Sequence, residues 1–343
     1  MNIITMNDTE THLSPRMRRR KNIFLLSSKD EYVSMKYWLE NSSNKRFHLN
    51  GWFHDKEIPS SPKVLIEDYD SLTKGSSVDH FVLDPSDMEP SMLQASIDWA
   101  ESHGSRIHLI QSGTSSVLTK LDRRHRFGPF AAVPLRQEPL SSPGNRALKK
   151  LFDILMSTVV VVTLLWWFYL LVGTIIKLTS RGPIIIRQDR IGFDGNQFKC
   201  MKFRTMISDK SAEKGYSHLT SSDDTRITFI GKLLRKTNLD ELPQFINVLF
   251  GYMSVVGPRP HMVSEDEEIA DKIDKYRIRR FVKPGITGLA AVKGYRGGTE
   301  NLVLMQERIN YDIEYIETWS PWLDTKIAVI TFWQMLTFDT GAH

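Results

Sequence analysis

The chain has 343 residues, 41% of them hydrophobic and 25% charged, with a formal net charge of +5 and one cysteine. That balance supports a folded core and excludes a disordered polyelectrolyte, and the length suits about two domains. The lone Cys200 excludes an intrachain disulfide and a multi-cysteine zinc site, and neither zinc-finger spacing nor an aromatic-rich RNA signature accompanies the positive charge. The charge therefore points to phosphorylated substrates and anionic lipid, not to nucleic acid.

The first twenty residues hold no apolar stretch of the signal-peptide kind, and residues 16–21 (RMRRRK) close a basic tail. That run reads equally as a headgroup contact and as solvated charge. Residues 22–26 (NIFLL) predict a buried strand. Residues 29–41 predict a helix with Tyr32, Met35, Trp38 and Leu39 on one face. Further strands are expected at His48–Phe53, Phe81–Leu83 and Arg106–Ile110, with a helix at 91–102. This alternation predicts a small Rossmann-like domain with a parallel sheet over residues 22–133. The turn after its first strand reads LLSSKD, without glycine, so no nicotinamide cofactor is expected there. Residues 134–148, rich in Pro, Ser and Gly, read as a linker.

Within the next segment, residues 149–179, the run Ile154–Ile176 has no charged residue and no proline. As one helix it would extend about 34 Å, enough for the hydrocarbon core of a bilayer. Lys149 and Lys150 precede it, and Lys177 and Arg181 follow it. Positive charge at both ends gives no orientation and suits a helix that enters and returns on one face, although a single-pass anchor stays open. Residues 180–343 read as a second globular domain, mostly helical with some strand. Strands are expected at 184–187 and 198–203, helix through 225–250 and 300–318, and a short apolar helix at 325–336. Trp319, Trp322 and Trp333 make that last helix either an interfacial element or a core helix.

The chemistry concentrates in residues 234–260. Asp240 and Glu241 lie between Arg235 and Arg259, and Asn238 stands three residues before Glu241, the spacing of a capping box. In a first helical turn, unpaired N–H groups would favour a bound phosphate. Adjacent helical side chains diverge by about 100°, so the carboxylates are expected to have separate roles: one attacking phosphorus, the other holding a metal or handling a proton. Such a pair alone is usually dipole complementation. Here Lys202, Arg204, Arg235, Lys236 and Arg259 supply candidate phosphate ligands, and Pro258 and Pro260 stiffen the backbone around Arg259.

KFRTM (202–206), DDTRITFIGKLLRKTNLDELPQFINVL (223–249), SVVGPRP (254–260) and KPGITG (283–288) together resemble the bacterial sugar transferase family, the monotopic polyprenyl-phosphate phosphoglycosyl transferases. The resemblance runs from about Asn145 to the C terminus. The region 22–133 looks like the CoA-binding-like extra domain of the larger members, without their preceding membrane helices. The resemblance implies a cytoplasm-facing enzyme of the bacterial inner membrane that starts exopolysaccharide or capsule synthesis. Asp240 would attack the β-phosphate of a UDP-sugar, with glucose first among the candidates, releasing UMP and forming a phosphosugar-aspartyl intermediate. Undecaprenyl phosphate would then accept the phosphosugar. Glu241 would assist; Asp240 and Glu241 would hold magnesium; Lys202, Arg235, Arg259 and, more weakly, Arg204 and the run 223–226 would bind phosphate. A homo-oligomer is left open. The chain departs from the family's common pattern at Tyr252, in the loop Gly288–Gly294, at Arg181, and at Leu165–Trp167, where Ser-Pro would break the apolar helix. A catalytically silent membrane scaffold is the alternative reading, and an anchored nucleotide sensor using the N-terminal domain is a third.

Overall fold

The computed structural model describes residues 20–41, 47–54, 61–73, 77–86, 88–110, 126–207, 224–295 and 301–337. Residues 16–19 of the basic run and Asp223 lie outside the described residues. The fold is mixed α/β and divides into two compact units, Met1–Leu135 and Arg136–His343.

In the first unit, strands β1 (Lys21–Ser27), β2 (Phe47–His54), β3 (His80–Leu83) and β4 (Arg106–Ile110) alternate with helices α1 (Lys29–Asn41), α2 (Pro62–Thr73) and α3 (Pro90–Ser102). They form a parallel sheet in the order β2-β1-β3-β4. The apolar β1 is explained by burial on both faces. Ile23 and Leu25 pack with Met35 on the α1 side, while Phe24 and Leu26 pack with Leu65, Tyr69 and Trp99 of α2 and α3. Two strands went unread in the sequence: β5 (Arg126–Phe127) and β6 (Phe130–Pro134) extend the sheet antiparallel from β4, so it is not wholly parallel. Helix α2 was unread too. The N terminus of α1 is closed by its own side chains, since Glu31 accepts from Ser28 N (3.1 Å) and from Ser28 Oγ (3.3 Å). A carboxylate thus stands where a dinucleotide fold would receive a phosphate.

The second unit opens on α4 (Pro143–Val160), which starts inside the segment read as linker. A π-helical turn, Val161–Leu165, and α5 (Trp166–Thr179) continue it, giving a 37-residue run long and apolar enough to cross a membrane. The π turn falls where the family's breaker is missing. Lys149, Asp153, Ser157, Leu165, Val172 and Ile176 are buried along one side of the run. Four-residue steps drift about 40° each on an α-helix, and the extra residue of a π turn returns the buried stripe to the same face. Carbonyls near the turn gain side-chain donors: Thr163 Oγ1 donates to Val159 O (2.7 Å) and Trp167 Nε1 to Thr163 O (2.9 Å). The opposite face, including Leu155, Val159, Val162, Trp166 and Leu170, is exposed.

Then come the hairpin β7 (Ile185–Ile191) and β8 (Gln197–Phe203), helices α6 (Phe229–Lys236) and α7 (Gln244–Leu249), strand β9 (Ser254–Val256), and helix α8 (Val263–Lys272). Strand β10 (Gly285–Thr287) pairs parallel with β9, followed by α9 (Leu289–Val292), α10 (Leu302–Thr318) and α11 (Pro321–Leu336). In α11 only Asp324 and Ile327 are buried, and Trp322, Phe332 and Trp333 are exposed, so it is not a core helix.

Candidate active site

Four consecutive residues at the end of β8 build one wall, each with a separate partner. Lys202 Nζ donates to Glu241 Oε1 (2.7 Å). Phe203 is buried with Ile176 of α5, Leu234 of α6 and Leu242. Arg204 turns to the C-terminal end of α5 and donates to Ser180 O (2.8 Å) and Ile176 O (3.4 Å). Thr205 Oγ1 accepts from Arg235 Nε (2.9 Å). Alternation along the strand explains part of this split, since neighbouring side chains leave on opposite faces.

Arg204 therefore departs from the phosphate role expected of it: it is buried with its guanidinium against carbonyls at the C-terminal end of a helix, where a cation is favoured. Gly182, at φ +131°, is required beside it, because a Cβ there would collide with Arg204 Nη1.

The expected capping box does not form. Asn238 has φ 55° and ψ 17°, and its side chain makes no cap bond. It follows the C-cap Thr237 in the left-handed conformation that ends helices, so it closes α6 instead of opening a new helix. Asp240 and Glu241 lie in the single 3-10 turn Leu239–Glu241 between α6 and α7. Gly231 lets α6 pack on the backbone of Thr205, where any side chain would collide with the carbonyl. That close approach brings Arg235 and the turn to the end of β8.

Both carboxylates are buried, at 8% exposure for Asp240 and 6% for Glu241, yet their surroundings differ. Glu241 Oε1 takes Lys202 and also Arg259 Nη2 (3.0 Å), and Oε2 takes Arg259 Nη1 (3.3 Å). Burial alone would push its carboxyl up; Arg259, Lys202 and their hydrogen bonds more than offset this and hold it well below the usual carboxylate range. Asp240 accepts no hydrogen bond among the described residues, and only charges act on it: Lys202, Glu241, Arg259 and Arg235. Burial, with the adjacent Glu241 charge, raises its pKa, and the three cations offset this in part. Sequence reasoning missed Thr205, which orients Arg235, and Arg190 on β7, whose charge also acts on Glu241 and Arg259. Asp224 and Arg226 pair with each other (2.6 Å). Tyr252 stacks on Phe198 of β8.

Among the described residues no three His, Cys, Asp or Glu cluster as a metal cage. The donor set fits an ion held by a single protein carboxylate, Asp240, completed by substrate phosphates and water. Chemically, the arrangement offers a carboxylate with free lone pairs, ringed by cations able to take a phosphoanion.

Residues 144–338 match the sequence model of the bacterial sugar transferase family. The chain is 48% identical over 209 residues to a UDP-glucose:undecaprenyl-phosphate glucose-1-phosphate transferase of Klebsiella pneumoniae, covering 61% of this chain and 44% of that protein. It is 42% identical over 234 residues to a like-named protein of Escherichia coli (strain K12), covering 66% and 50%. It is 36% identical over 199 residues to a UDP-N-acetylgalactosamine-undecaprenyl-phosphate N-acetylgalactosaminephosphotransferase of Aeromonas hydrophila, covering 58% and 46%. The matched stretches thus span about half the length of these relatives. With the family's region spanning both carboxylates, Lys202, Arg235 and Arg259, the chain belongs to the bacterial sugar transferase family.

Proposed function

We propose that the chain transfers a sugar 1-phosphate, glucose 1-phosphate in the first instance, from a UDP-sugar to undecaprenyl phosphate. The observation that carries this reading is the asymmetry of the two carboxylates: among the described residues Glu241 is engaged by two cations and Asp240 by no hydrogen bond. A buried carboxylate with free lone pairs is poorly solvated and suited to attack. An Asp240 oxygen forms a bond to the β-phosphorus as the bond from that phosphorus to the bridging oxygen breaks, and UMP departs with that oxygen and its electron pair. An oxygen of undecaprenyl phosphate then attacks the same phosphorus, the acyl-phosphate bond breaks, and Asp240 is restored. Arg259, Lys202 and Arg235 hold the phosphates and balance their charge. Glu241 keeps Lys202 and Arg259 in place. Magnesium is the metal that suits hard oxygen donors and a diphosphate; bound by Asp240, with Glu241 as the neighbouring carboxylate, it would neutralise phosphate charge. The printed names of the Klebsiella and Escherichia relatives support glucose, and that of the Aeromonas relative makes an N-acetylated donor the second choice.

The apolar run supports attachment to one face of the membrane. At its start, Lys149 Nζ donates to Asp324 Oδ2 of α11 (2.7 Å) and Asp153 Oδ1 accepts from Val255 N of β9 (2.9 Å). At its end, Arg204, the residue after β8, donates to the Ile176 and Ser180 carbonyls. A straight helix from residue 149 to 176 is about 40 Å long, more than the hydrocarbon thickness. Both ends are bonded into one folded unit, which favours a run that lies in the membrane and returns over one that crosses it. The cytoplasmic face of the bacterial inner membrane, where nucleotide sugars are available, is the side this reading assigns.

The test is UMP release by membranes supplied with UDP-glucose, magnesium and undecaprenyl phosphate. Release by the wild type and its loss in Asp240→Asn supports the reading, and equal release by both refutes the nucleophile.

A further inference from the structure

The six residues from Val256 to His261 are each hydrogen-bonded to their surroundings. Val256 O accepts from Lys149 Nζ (2.9 Å) and Tyr315 OH (3.0 Å). Gly257 N donates to Thr287 O and Pro258 O accepts from Gly285 N, both at 2.8 Å. Arg259 O accepts from Arg279 Nη2 (2.7 Å), and Pro260 O from Arg190 Nη1 (3.3 Å). His261 O accepts from Ile191 N (3.1 Å). The Arg259 side chain, 43% exposed and reaching Glu241, is the part of this segment left to meet a ligand.

Most of these donors are backbone groups or the tips of ordinary networks. Arg279 is different. It stands in the 3-10 turn Tyr276–Phe281, is buried, and spends the same Nη2 on Asp312 Oδ2 of α10 (2.8 Å). A second buried guanidinium, Arg308, lies one turn before Asp312 on the same helix. Burying a guanidinium that shares one carboxylate is a weak source of stability, and an apolar side chain of similar volume would serve packing as well. What an apolar side chain cannot do is donate to the Arg259 carbonyl, a bond that holds the peptide plane between Arg259 and Pro260 and limits how the backbone carrying the Arg259 side chain can turn.

We propose that Arg279, oriented by Asp312, is a positioning residue for Arg259, aligning its guanidinium on Glu241 and on the phosphates of the nucleotide-sugar donor. The donor part of this proposal rests on the reading in the preceding subsection; the alignment on Glu241 does not. The test compares full-length wild type, Arg279→Gln, Arg279→Lys, Arg259→Ala and the Arg259→Ala/Arg279→Gln double variant. In UMP release, Arg279→Gln lowers kcat/KM about tenfold, and Arg279→Lys recovers most of it. The double variant is no worse than Arg259→Ala alone, because residues acting as one unit are not additive. Equal losses in both backgrounds would mean a merely structural role and overturn the proposal. The second readout needs no turnover: the Arg259–Glu241 coupling, taken from thermal unfolding of Arg259→Ala, Glu241→Gln and their double variant, is lost in the Arg279→Gln background. Undiminished coupling overturns the proposal even if UMP release is never seen, whereas lost coupling without UMP release sinks only the functional reading. Should Arg279→Gln not fold, Asp312→Asn makes the same comparisons with less of the buried network removed.

Discussion

Asp240 and Glu241 are chemically alike and adjacent, and their partners separate them. Glu241 is bonded to two cations, whereas Asp240 accepts no hydrogen bond among the described residues, the difference that the proposed function reads as anchor and nucleophile. Glu241→Gln should therefore release Lys202 and Arg259 from their fixed positions and lower kcat about 100-fold, the scale of losing one preorganised electrostatic contact. Steady-state kinetics on UMP release measures this, and a loss of under threefold would mean that Glu241 anchors nothing of consequence. Arg259→Lys should fail to rescue, since an ammonium cannot reproduce the guanidinium's paired contacts with both Glu241 oxygens. The residue types at this site were legible from spacing and from the neighbouring arginines. The division of labour was not, because it depends on which side chains β8 brings across from Lys202 to Thr205. Arg204 shows the limit most plainly. In sequence it stands two residues from Lys202 and looks like another phosphate ligand, but its guanidinium donates instead to the Ile176 and Ser180 carbonyls at the end of α5.

At the scale of elements, the end of β8 couples the apolar helix to the site. Lys202 holds Glu241, Phe203 packs under α5, and Arg204 closes the end of α5, so three consecutive residues tie the helix end to the carboxylate pair. Arg204→Leu removes the donor to the Ser180 carbonyl and should cost about 2–3 kcal/mol, the scale of hydrogen bonds from a charged group. Thermal unfolding in detergent measures the loss. Gly182→Ala should act in the same direction by displacing the same guanidinium, and no change in either variant would contradict the coupling. Helix periodicity and strand propensity made α1, β1, β4 and α10 readable, because each has a continuous apolar face or core. Helix α2 and strands β5 and β6 were missed. The two residues of β5 give almost no periodic signal, Phe130–Pro134 ends on the proline that opens the segment read as linker, and the two are placed by pairing, β6 on β4 and β5 on β6. The Asn238 error had a related cause: Asn serves both as a helix opener and as a left-handed closer, and only the end of α6 decides between them.

At the scale of the molecule, two compact units carry different chemistry. The first has a half-buried imidazole pair, His80 Nδ1 to His108 Nε2 at 3.0 Å, packed against Phe127. Burial, then the nearby Arg106, brings His108 down to about 4, and burial with His108, Arg106 and Lys21 holds His80 well below its ordinary value. Both rings are therefore neutral when folded, and the unfolded chain binds more protons between about pH 6.5 and 4. Stability of this unit should thus rise with pH through that window and fall on acidification. Protection factors for hydrogen exchange at β3 and β4 in the full chain, which remove the intrinsic slowing of exchange in acid, should fall from pH 7 to 5. His108→Asn should flatten the dependence, and an unchanged slope would mean that the pair is not its source. The second unit holds the long apolar run and the site, where the proposed function places covalent chemistry at Asp240.

The most direct test of that claim is to incubate the full chain with UDP-glucose labelled in the sugar and magnesium, without lipid acceptor, and to look for label on the protein. The account predicts label that maps to Asp240, leaves on addition of undecaprenyl phosphate, and is absent from Asp240→Asn. UMP release and lipid product formed by a protein that never carries the label, or that carries it equally in Asp240→Asn, would contradict it.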